Sequence, residues 1–497
     1  MSGAIGSILS NFGALEALDG LASTQGENNT LETELSTGLS INSPADNPAG
    51  FIQAQGFDAQ INGITQASAN ANEGISLLQT AQGAVQQQLN LAQKLNSIAV
   101  QAANGTQTPA EAQSLQGVVS QLTGQVTTIA DQTQFNDISL LNGTFNGVQF
   151  QVGADEGQTI DLSISNTEAG AIGLNTLNSS ASAAAPLFKA SPSAAVTATG
   201  SAFTAGSLTL HGSAGSAKVK VSANESAASL AQAINGLTNQ TNISAQASTS
   251  VVLKVKGGSG SAFDFTLGNG SAANSTNDVS ISATGVSGLI QAVNNDTSTT
   301  GITATENASG NVVLTQSQGQ NIAITNVANG SFTVGTGASA QTFGGTTNAA
   351  GTFTAAAGGS SLVAQGRVSF QSDQSFSVGS ANLVGLQSQS TLDSLSSINV
   401  TTQSGANNAI NVIKFAIQGL NNTDGSLGAT QQRLQATLQN LSTTNTNLQN
   451  GLGVVQDANI PQVSEQLTEA QIQAQAGVSA LRSSTTIQQA FLALLPQ

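Results

Sequence analysis

The sequence has no Cys, no Trp and no Tyr, a single His (His211) and a single Met, at position 1. Without Cys there is no disulfide framework, no thiol nucleophile and no Cys/His zinc site, and one His cannot build a metal cluster alone. Charge is scarce as well, at 7% of residues against roughly 25% in ordinary soluble chains. Ten Lys and Arg against 26 Asp and Glu leave a net charge of −16, so no phosphate-gripping surface and no nucleic-acid partner are expected. No window reaches ~18 consecutive apolar residues, and membrane insertion is not expected either. The first twenty residues lack the basic start and long apolar stretch of a cleavable signal, and the first basic residue is Lys94. If exported, the chain would need a route that dispenses with such a signal. Motifs of catalysis are also missing: there is no HExxH, no P-loop and no GxSxG in a strand–turn–helix setting. His211, in a turn between strands, and the pair Asp155-Glu156, in a hairpin turn, read as solvated groups. Gly257–Phe263 resembles a phosphate loop in composition only. The expectation is a structural protein, not an enzyme, with no catalytic residue, metal ligand or cofactor.

What is present is small and uncharged. Fifty-three Gly and 39% apolar residues suit an extracellular, repetitive or assembling protein whose surface is Asn, Gln, Ser and Thr. The length allows about three domains. Ile5, Ile8, Leu9, Phe12, Leu15 and Leu18 recur every three or four residues, one stripe of an amphipathic helix. A loop at Gly38–Gly50 follows, where Asn47 is an N-cap with Pro48 at the first helical position. Ile61, Ile64, Ala71, Ile75, Leu78, Val85, Leu89, Ala92 and Ala99 then hold a coiled-coil spacing for about five heptads, with Ser68, Gln82 and Asn96 as weak points. That helix should end near Asn104-Gly105. Thr108, Pro109 and Glu111 form a capping box opening another helix, to about Ala130.

The C-terminal part answers with Leu427, Leu434, Leu438, Leu441, Leu448, Leu452 and Val455, and amides Gln431 and Asn445 at polar seam positions. A final stripe runs through Ile472, Ala476, Leu481, Ile487, Leu492 and Leu495. Burying one Leu is worth roughly 1.5–3 kcal/mol, so the two ends should pack on each other. Apolar stripe is left over at Ile5–Leu21 and Ile487–Leu495, and such surplus marks an assembly surface. Between the ends the period changes to two. Asn146–Ser165 reads as a hairpin, and short strands continue from about Ser180 to Thr391. Ser229–Asn235 (SLAQAIN) matches Gly288–Asn294 (GLIQAVN), Ile243 matches Ile302, and VVLKV at Val251 matches VVLTQ at Val312. Each unit (residues 206–256 and 278–326) reads as a strand, a short helix and a β-hairpin. Ala338–Gly359 is low in complexity and reads as loop. The fold class is α+β and multidomain, with long paired terminal helices around an inserted β-rich region.

Several stretches carry a family resemblance. GLSINSPADNPAGF (Gly38–Phe51), Ile61–Ala84, AVQAAN (Ala99–Asn104) and QTQFN (Gln132–Asn136) resemble the N-terminal core of bacterial flagellin. SLGATQQRL (Ser426–Leu434), VQDAN (Val455–Asn459) and AQIQAQAGVSAL (Ala470–Leu481) resemble its C-terminal core, and FLALLPQ its apolar ending. The resemblance implies a subunit exported through the flagellar type III channel that polymerises into the helical filament used for swimming. It implies terminal helices at residues 1–44 and 457–497 in the inner filament core. A coiled-coil core with its hairpin is implied at 45–179 and 392–456, and a variable outer domain at 180–391. Partners implied are further copies of the chain, the export machinery and chaperone, the filament cap and the hook-junction proteins. The subunit interface would include Ile5, Ile8, Leu9, Phe12, Leu15, Asn42 and Asp46. It would continue through Gln132, Phe135 and Asn136, and then Asp457, Leu481, Ile487, Phe491 and Leu495.

Departures from the family pattern concern charge. Ser40 stands where an Arg is usual, the acidic pair before AAG is reduced to Asp46-Asn47, and an acidic stretch becomes VQDAN. Subunit contacts here should therefore be apolar and amide in kind. On the surface read by the vertebrate innate receptor, Lys94, Ile98 and Val118 stand for Arg, Leu and Glu, which implies weak recognition. Two alternatives remain: a hook–filament junction protein, and a secreted adhesin or glycan-binding module with the helices as a stalk. The second lacks Trp and Tyr for stacking on sugars.

Overall fold

The structure, a computed structural model, describes residues 12–178, 188–191, 203–222, 225–255, 262–269, 277–307, 309–329, 332–336, 339–340 and 360–493. The helices are α1 (Phe12–Thr37), α2 (Pro48–Ala102), α3 (Pro109–Gln132), α4 (Ala227–Asn235), α5 (Thr238–Thr241), α6 (Gly285–Asn295), α7 (Thr297–Thr300), α8 (Gln403–Gln456) and α9 (Ile460–Ala493). The chain divides into two compact units. One comprises Met1–Gln79, Asn146–Ser163 and Leu427–Gln497, the other Thr80–Phe145 and Ile164–Ser426.

In the first unit α1 and α9 pair antiparallel. Leu31, Val463 and Ala470 are buried between them, and Leu21 lies over Gly477, where a Cβ would stand 3.6 Å from it. Beyond them, α2 buries Ala54, Ile64, Ala67 and Ala71. Strands β3 (Val148–Gln151) and β4 (Thr159–Leu162) form the expected hairpin, in register Phe150 with Ile160. Asn70 Nδ2 ties it to α2 by donating to the Gln151 carbonyl at 3.0 Å. Gly74 sits where these elements converge, and an added Cβ would lie 3.2 Å from Leu434 and 3.4 Å from Phe150. Of the seam on α8, Leu427 and Leu434 are buried, while Leu438, Leu441, Leu448, Leu452 and Val455 are half-buried, as are Gln431 and Asn445.

In the second unit Thr108 caps α3 as the sequence implies. Its Oγ1 accepts from Glu111 N at 3.3 Å, and the Glu111 carboxylate accepts from Thr108 N at 2.8 Å. α3 runs to Gln132, slightly past the expected end. Helix α8 begins at Gln403, well before the Leu427 seam, because Ala406, Ala409, Val412, Ile413, Ala416 and Leu420 already form a buried stripe. A hairpin that the apolar pattern does not announce joins β1 (Gln134–Phe135) to β2 (Ile138–Ser139). Its turn residues Asn136 and Asp137 take φ of 50° and 62°, the type I′ geometry that suits a two-residue hairpin.

The β region of this unit holds antiparallel sheets. One sets β11 (Val279–Thr284), β10 (Ala262–Gly268), β14 (Ile322–Asn329), β17 (Ser360–Ala364) and β6 (Phe188–Ser191) side by side in that order, and β15 (Phe332–Thr336) with β16 (Ser339–Ala340) adds to a second. In the largest, β12 (Ile302–Glu306), β13 (Val312–Gln316), β9 (Ser244–Val255), β18 (Arg367–Ser372), β5 (Gly173–Asn178) and β20 (Thr391–Ser394) lie side by side in that order. Strand β9 serves two cores: Ala245 and Ala247 pack with Leu230, Ile234 and Phe370, whereas Val251 and Leu253 pack with Phe263, Leu289 and Val293. A three-stranded sheet sets β7 (Gly206–Gly212) between β19 (Ser377–Gly379) and β8 (Gly215–Val221).

The internal repeat is real in its hydrogen bonds. Asn235 Nδ2 donates to Ala245 O at 2.9 Å and its Oδ1 accepts from Ala245 N at 2.7 Å; Asn294 does the same with Ala304 at the same two distances. Thr238 and Thr297 donate alike to the carbonyls of Ile243 and Ile302. The two units depart from the sequence reading in where the hairpin lies. The second has it after its helices, β12–β13, but the first has it ahead of them, β7–β8, and after them runs as the single strand β9. The reason is local: Asn307–Asn311 supplies Asn and Gly for a turn, with Gly310 at φ 73°, while Ala247–Ser250 offers none. His211 is likewise a strand residue at the end of β7 rather than a turn residue, exposed, with Nδ1 2.8 Å from Ser216 Oγ. Gly257–Gly260 and most of the low-complexity stretch Ala338–Gly359 lie outside the described residues; Ser339–Ala340 form a short strand.

Candidate assembly surface

Helices α1 and α9 each present two faces. The inner line of α1 is Ala14, Ala17, Leu21, Thr24, Asn28 and Leu31, and that of α9 is Val463, Leu467, Ala470, Ala474, Gly477 and Leu481. Both keep the heptad spacing of a coiled-coil seam. Apolar side chains also stand on the faces turned away from that seam. Phe12 is 70% exposed, Leu15 57% and Leu18 52%, and across on α9 Ile472 is 62% and Ile487 56% exposed. The sequence stripe Ile472–Leu481–Ile487 is thus split: Leu481 belongs to the seam, whereas Ile472 and Ile487 face out, because residues nine and six apart fall on different sides of a helix. Leaving such a band in water is costly, at roughly 25 cal/mol for each Å². Ile5, Ile8, Leu9 and Leu495 lie outside the described residues, and Phe491 falls in the last turn of α9.

The loop between α1 and α2 closes this end of the unit. Gly38 (φ 75°) ends α1, its N–H donating to Glu34 O at 2.9 Å. Leu39 then bridges Asp457, Ser40 N donates to Gln456 O at 2.7 Å, and Ala458 N donates to Gly38 O at 2.8 Å. Ser40 Oγ donates to the same Gln456 carbonyl at 3.2 Å, the contact this residue makes in place of a charge. Asp46 folds the loop by accepting from Asn42 N at 2.9 Å and Ser43 N at 2.7 Å. Those two backbone donors hold its carboxyl below the ordinary range. Glu34 moves the other way, raised by burial and then by the nearby Asp46 charge. Asn42 Nδ2 donates to Leu39 O at 2.8 Å, and Asn47 Oδ1 caps α2 by accepting from Gly50 N at 3.0 Å.

The structure brings Phe12, Leu15, Asn42, Asp46, Asp457, Leu481 and Ile487 into the first unit, on α1, α9 and the loop joining α1 to α2. Gln132, Phe135 and Asn136 belong to the second unit, at the end of α3, in β1 and in the β1–β2 turn; Gln132 and Asn136 are exposed and Phe135 is half-buried. Lys94 is exposed on α2, Val118 is 40% exposed on α3, and Ile98 is buried at 9%. The sequence reading missed two polar groups within the second unit. Gln88 is fully buried, donating to Val126 O at 3.0 Å and Thr167 O at 3.3 Å. Asp373, 7% exposed, accepts from Asn242 Nδ2 at 2.7 Å and Asn422 Nδ2 at 2.8 Å. Neither has a local sequence signal, since their partners are far along the chain. Among the described residues no group of His, Cys, Asp or Glu is arranged to hold a metal ion, and no helix is long and apolar enough to cross a membrane.

Comparison with known proteins adds to this geometry. Residues 8–146 match the family described as the bacterial flagellin N-terminal helical region, 410–495 the bacterial flagellin C-terminal helical region, and 207–259 the flagellin hook IN motif. The B-type flagellin of Pseudomonas aeruginosa is 32% identical over 494 residues, 98% of this chain and 98% of that one. A flagellin of Salmonella typhimurium is 39% identical over 171 residues, 34% of either chain. The solved structure of FliC from Burkholderia pseudomallei matches with a TM-score of 0.30 and 18% identity, covering 72% of this chain and 99% of that chain.

Proposed function

We propose, from the premise that this chain belongs to the bacterial flagellin family, that it is the main subunit of a flagellar filament. The family consists of filament and hook-associated subunits, structural proteins of an extracellular appendage for motility. The finer reading, filament rather than hook–filament junction, is supported by the end-to-end match to a flagellin. The observation that carries self-assembly is the second apolar face on α1 and α9, with Phe12, Leu15, Ile472 and Ile487 each more than half exposed. Further copies of the chain would cover it, giving an inner core of terminal helices (1–44 and 457–497), a coiled-coil layer (45–179 and 392–456) and an outward domain (180–391). Asn42, Asp46 and Asp457 would then lie at the loop between the two layers, and Gln132, Phe135 and Asn136 at a second contact. Export through the flagellar type III channel, with a chaperone, and encounters with the cap and hook-junction proteins follow from the same reading. Innate-receptor recognition should be weak: Lys94 cannot fork onto a carboxylate as Arg does, Val118 offers no carboxylate, and Ile98 is buried.

The test is the composition of filaments sheared from cells, together with a chain lacking Phe491–Gln497. The main subunit should dominate the filament, and the truncated chain should be exported but remain monomeric. Finding the chain only as a trace component at the filament base would assign it to the junction instead, and normal filaments from the truncation would remove α9 from the assembly surface.

A further inference from the structure

The sequence holds eight Asn-Gly pairs, the dipeptide most open to spontaneous deamidation because glycine places no side chain beside the attacking nitrogen. Six lie wholly within the described residues: Asn62-Gly63, Asn104-Gly105, Asn142-Gly143, Asn146-Gly147, Asn235-Gly236 and Asn450-Gly451. All six share the same covalent chemistry, so the fold must decide between them. Two requirements apply. The glycine N–H must be free to lose its proton, and the asparagine side-chain carbonyl carbon must be free to swing onto that nitrogen.

Five pairs fail one requirement or both. Asn62-Gly63 and Asn450-Gly451 lie inside α2 and α8, where the helical ladder holds the glycine nitrogen. In Asn235-Gly236 the side chain is clamped at both ends by Ala245, and Gly236 N donates to Gln232 O at 3.0 Å. Gly147 N donates to Ser163 Oγ at 2.9 Å. The Asn142 carbonyl oxygen is turned towards Thr144, accepting from its N at 3.1 Å and its Oγ1 at 2.7 Å. Asn104-Gly105 differs from all of these. It follows the end of α2, both residues are exposed, and among the described residues neither the Asn104 side chain nor Gly105 N makes a hydrogen bond. The backbone of Asn104 is lightly held, its N donating to Gln101 O at 3.2 Å and its O accepting from Gln107 N at 3.4 Å.

We propose that Asn104 is a site of spontaneous covalent modification, selected by the fold. Gly105 N, deprotonated by hydroxide, attacks Asn104 Cγ. The new C–N bond closes a five-membered imide, the bond from Cγ to the side-chain nitrogen breaks, and ammonia leaves with the proton. Water then adds to either imide carbonyl, opening the ring to aspartate or isoaspartate; water is the only co-reactant. The product adds a negative charge to the α2–α3 loop. In the isoaspartate form it also adds a backbone atom beside Ala103, whose carbonyl accepts from Gln403 Nε2 at 3.2 Å.

The experiment incubates the purified full-length chain at mildly alkaline pH and follows each of the six peptides by proteolysis and mass spectrometry, with isoaspartate methyltransferase as an independent readout. The Asn104 peptide should convert about tenfold faster than any of the other five, the factor that one lost hydrogen bond puts into a barrier. In strong denaturant the six rates should converge. Asn104→Gln should abolish the conversion. Gly105→Ala should slow it while leaving the fold intact, since a Cβ there meets only Gln403 Nε2 at 3.7 Å. Faster conversion of any of the other five pairs in the folded chain, or the same ranking with and without denaturant, would overturn the proposal.

Discussion

Asp46 and Glu34 face opposite electrostatic conditions, the first in the loop between α1 and α2 and the second in the last turn of α1. Asp46 is lowered by the Ser43 and Asn42 backbone donors, so its charged form stabilises the fold at neutral pH. That contribution is full above the ordinary aspartate range and is lost as pH falls through the lowered folded value. Glu34 is raised, first by burial and then by Asp46, so its charge opposes folding at neutral pH and protonation removes the opposition as pH falls. The loop should therefore hold until Asp46 itself takes a proton. Amide hydrogen exchange at Asn42 and Ser43 is expected to stay slow down to the bottom of the carboxylate range and then rise. Asp46→Asn should produce the fast exchange already at neutral pH; unchanged exchange in that variant would mean the carboxylate does not hold the loop. Asp46 was legible as a loop residue from the dense Asn, Pro and Gly around it, but its two backbone donors depend on a turn that the pattern alone does not specify.

The repeated β-α-β element shows how much one side chain can organise. Asn235 and Asn294 each satisfy both backbone groups of a strand residue, Ala245 and Ala304, and so lock helix α4 onto β9 and α6 onto β12. Replacing either by Ala strands one N–H and one C=O in a half-buried place, a loss of about 1–3 kcal/mol. Asn235→Ala and Asn294→Ala should thus lower stability by similar amounts, measured by denaturant unfolding of the full chain. A cost confined to one of them would mean that the two units are not equivalent in energy despite their matching bonds. The matching letters SLAQAIN and GLIQAVN revealed the helices, since the apolar spacing is local. That the first unit runs on as one strand after its helices was not legible in that match, because it depends on turn residues outside the matched letters.

For the whole molecule, the place where the β-rich insertion joins the helical core is decided by strand pairing. β5 and β20 are neighbours, with Thr176 opposite Thr391, so the chain leaves and returns within one strand spacing, about 5 Å. A chain lacking residues 180–390, closed by a short linker, should keep this pair and still form filaments, visible by electron microscopy of sheared preparations. Export without polymerisation would place the outer region in the filament wall. Acid behaviour is the second expectation at this scale. Residues 391–497 hold only Asp393, Asp424, Asp457, Glu465 and Glu469 against Lys414, Arg433 and Arg482. The exposed faces of α1 and α9 carry apolar groups; the exposed carboxylates of α1, Glu16, Asp19, Glu27 and Glu32, have no Lys or Arg on that helix to pair with, and amide and hydroxyl contacts do not titrate. Filaments should therefore persist in turbidity measurements from neutral pH through the range near pH 4 in which ordinary carboxylates titrate. Sharp dissociation inside that range would show that carboxylates still govern the interface.

The sequence by itself determined the periods: long heptad stripes at both ends, strands of period two between them, the capping box at Thr108 and the Asn47 cap. These are local, fixed by neighbours within one helical turn or one hairpin, and so they survive without knowledge of the fold. Only the tertiary structure decided which face of each stripe is covered. Ile472 and Leu481 look alike in a periodic pattern, yet the partner helix takes Leu481 and leaves Ile472 in water, because burial depends on what lies opposite rather than on spacing. The same holds for the buried amide of Gln88 and for Asp373 with its partners Asn242 and Asn422: no short-range rule links residues so far apart, and the contact exists only once the chain has folded back on itself.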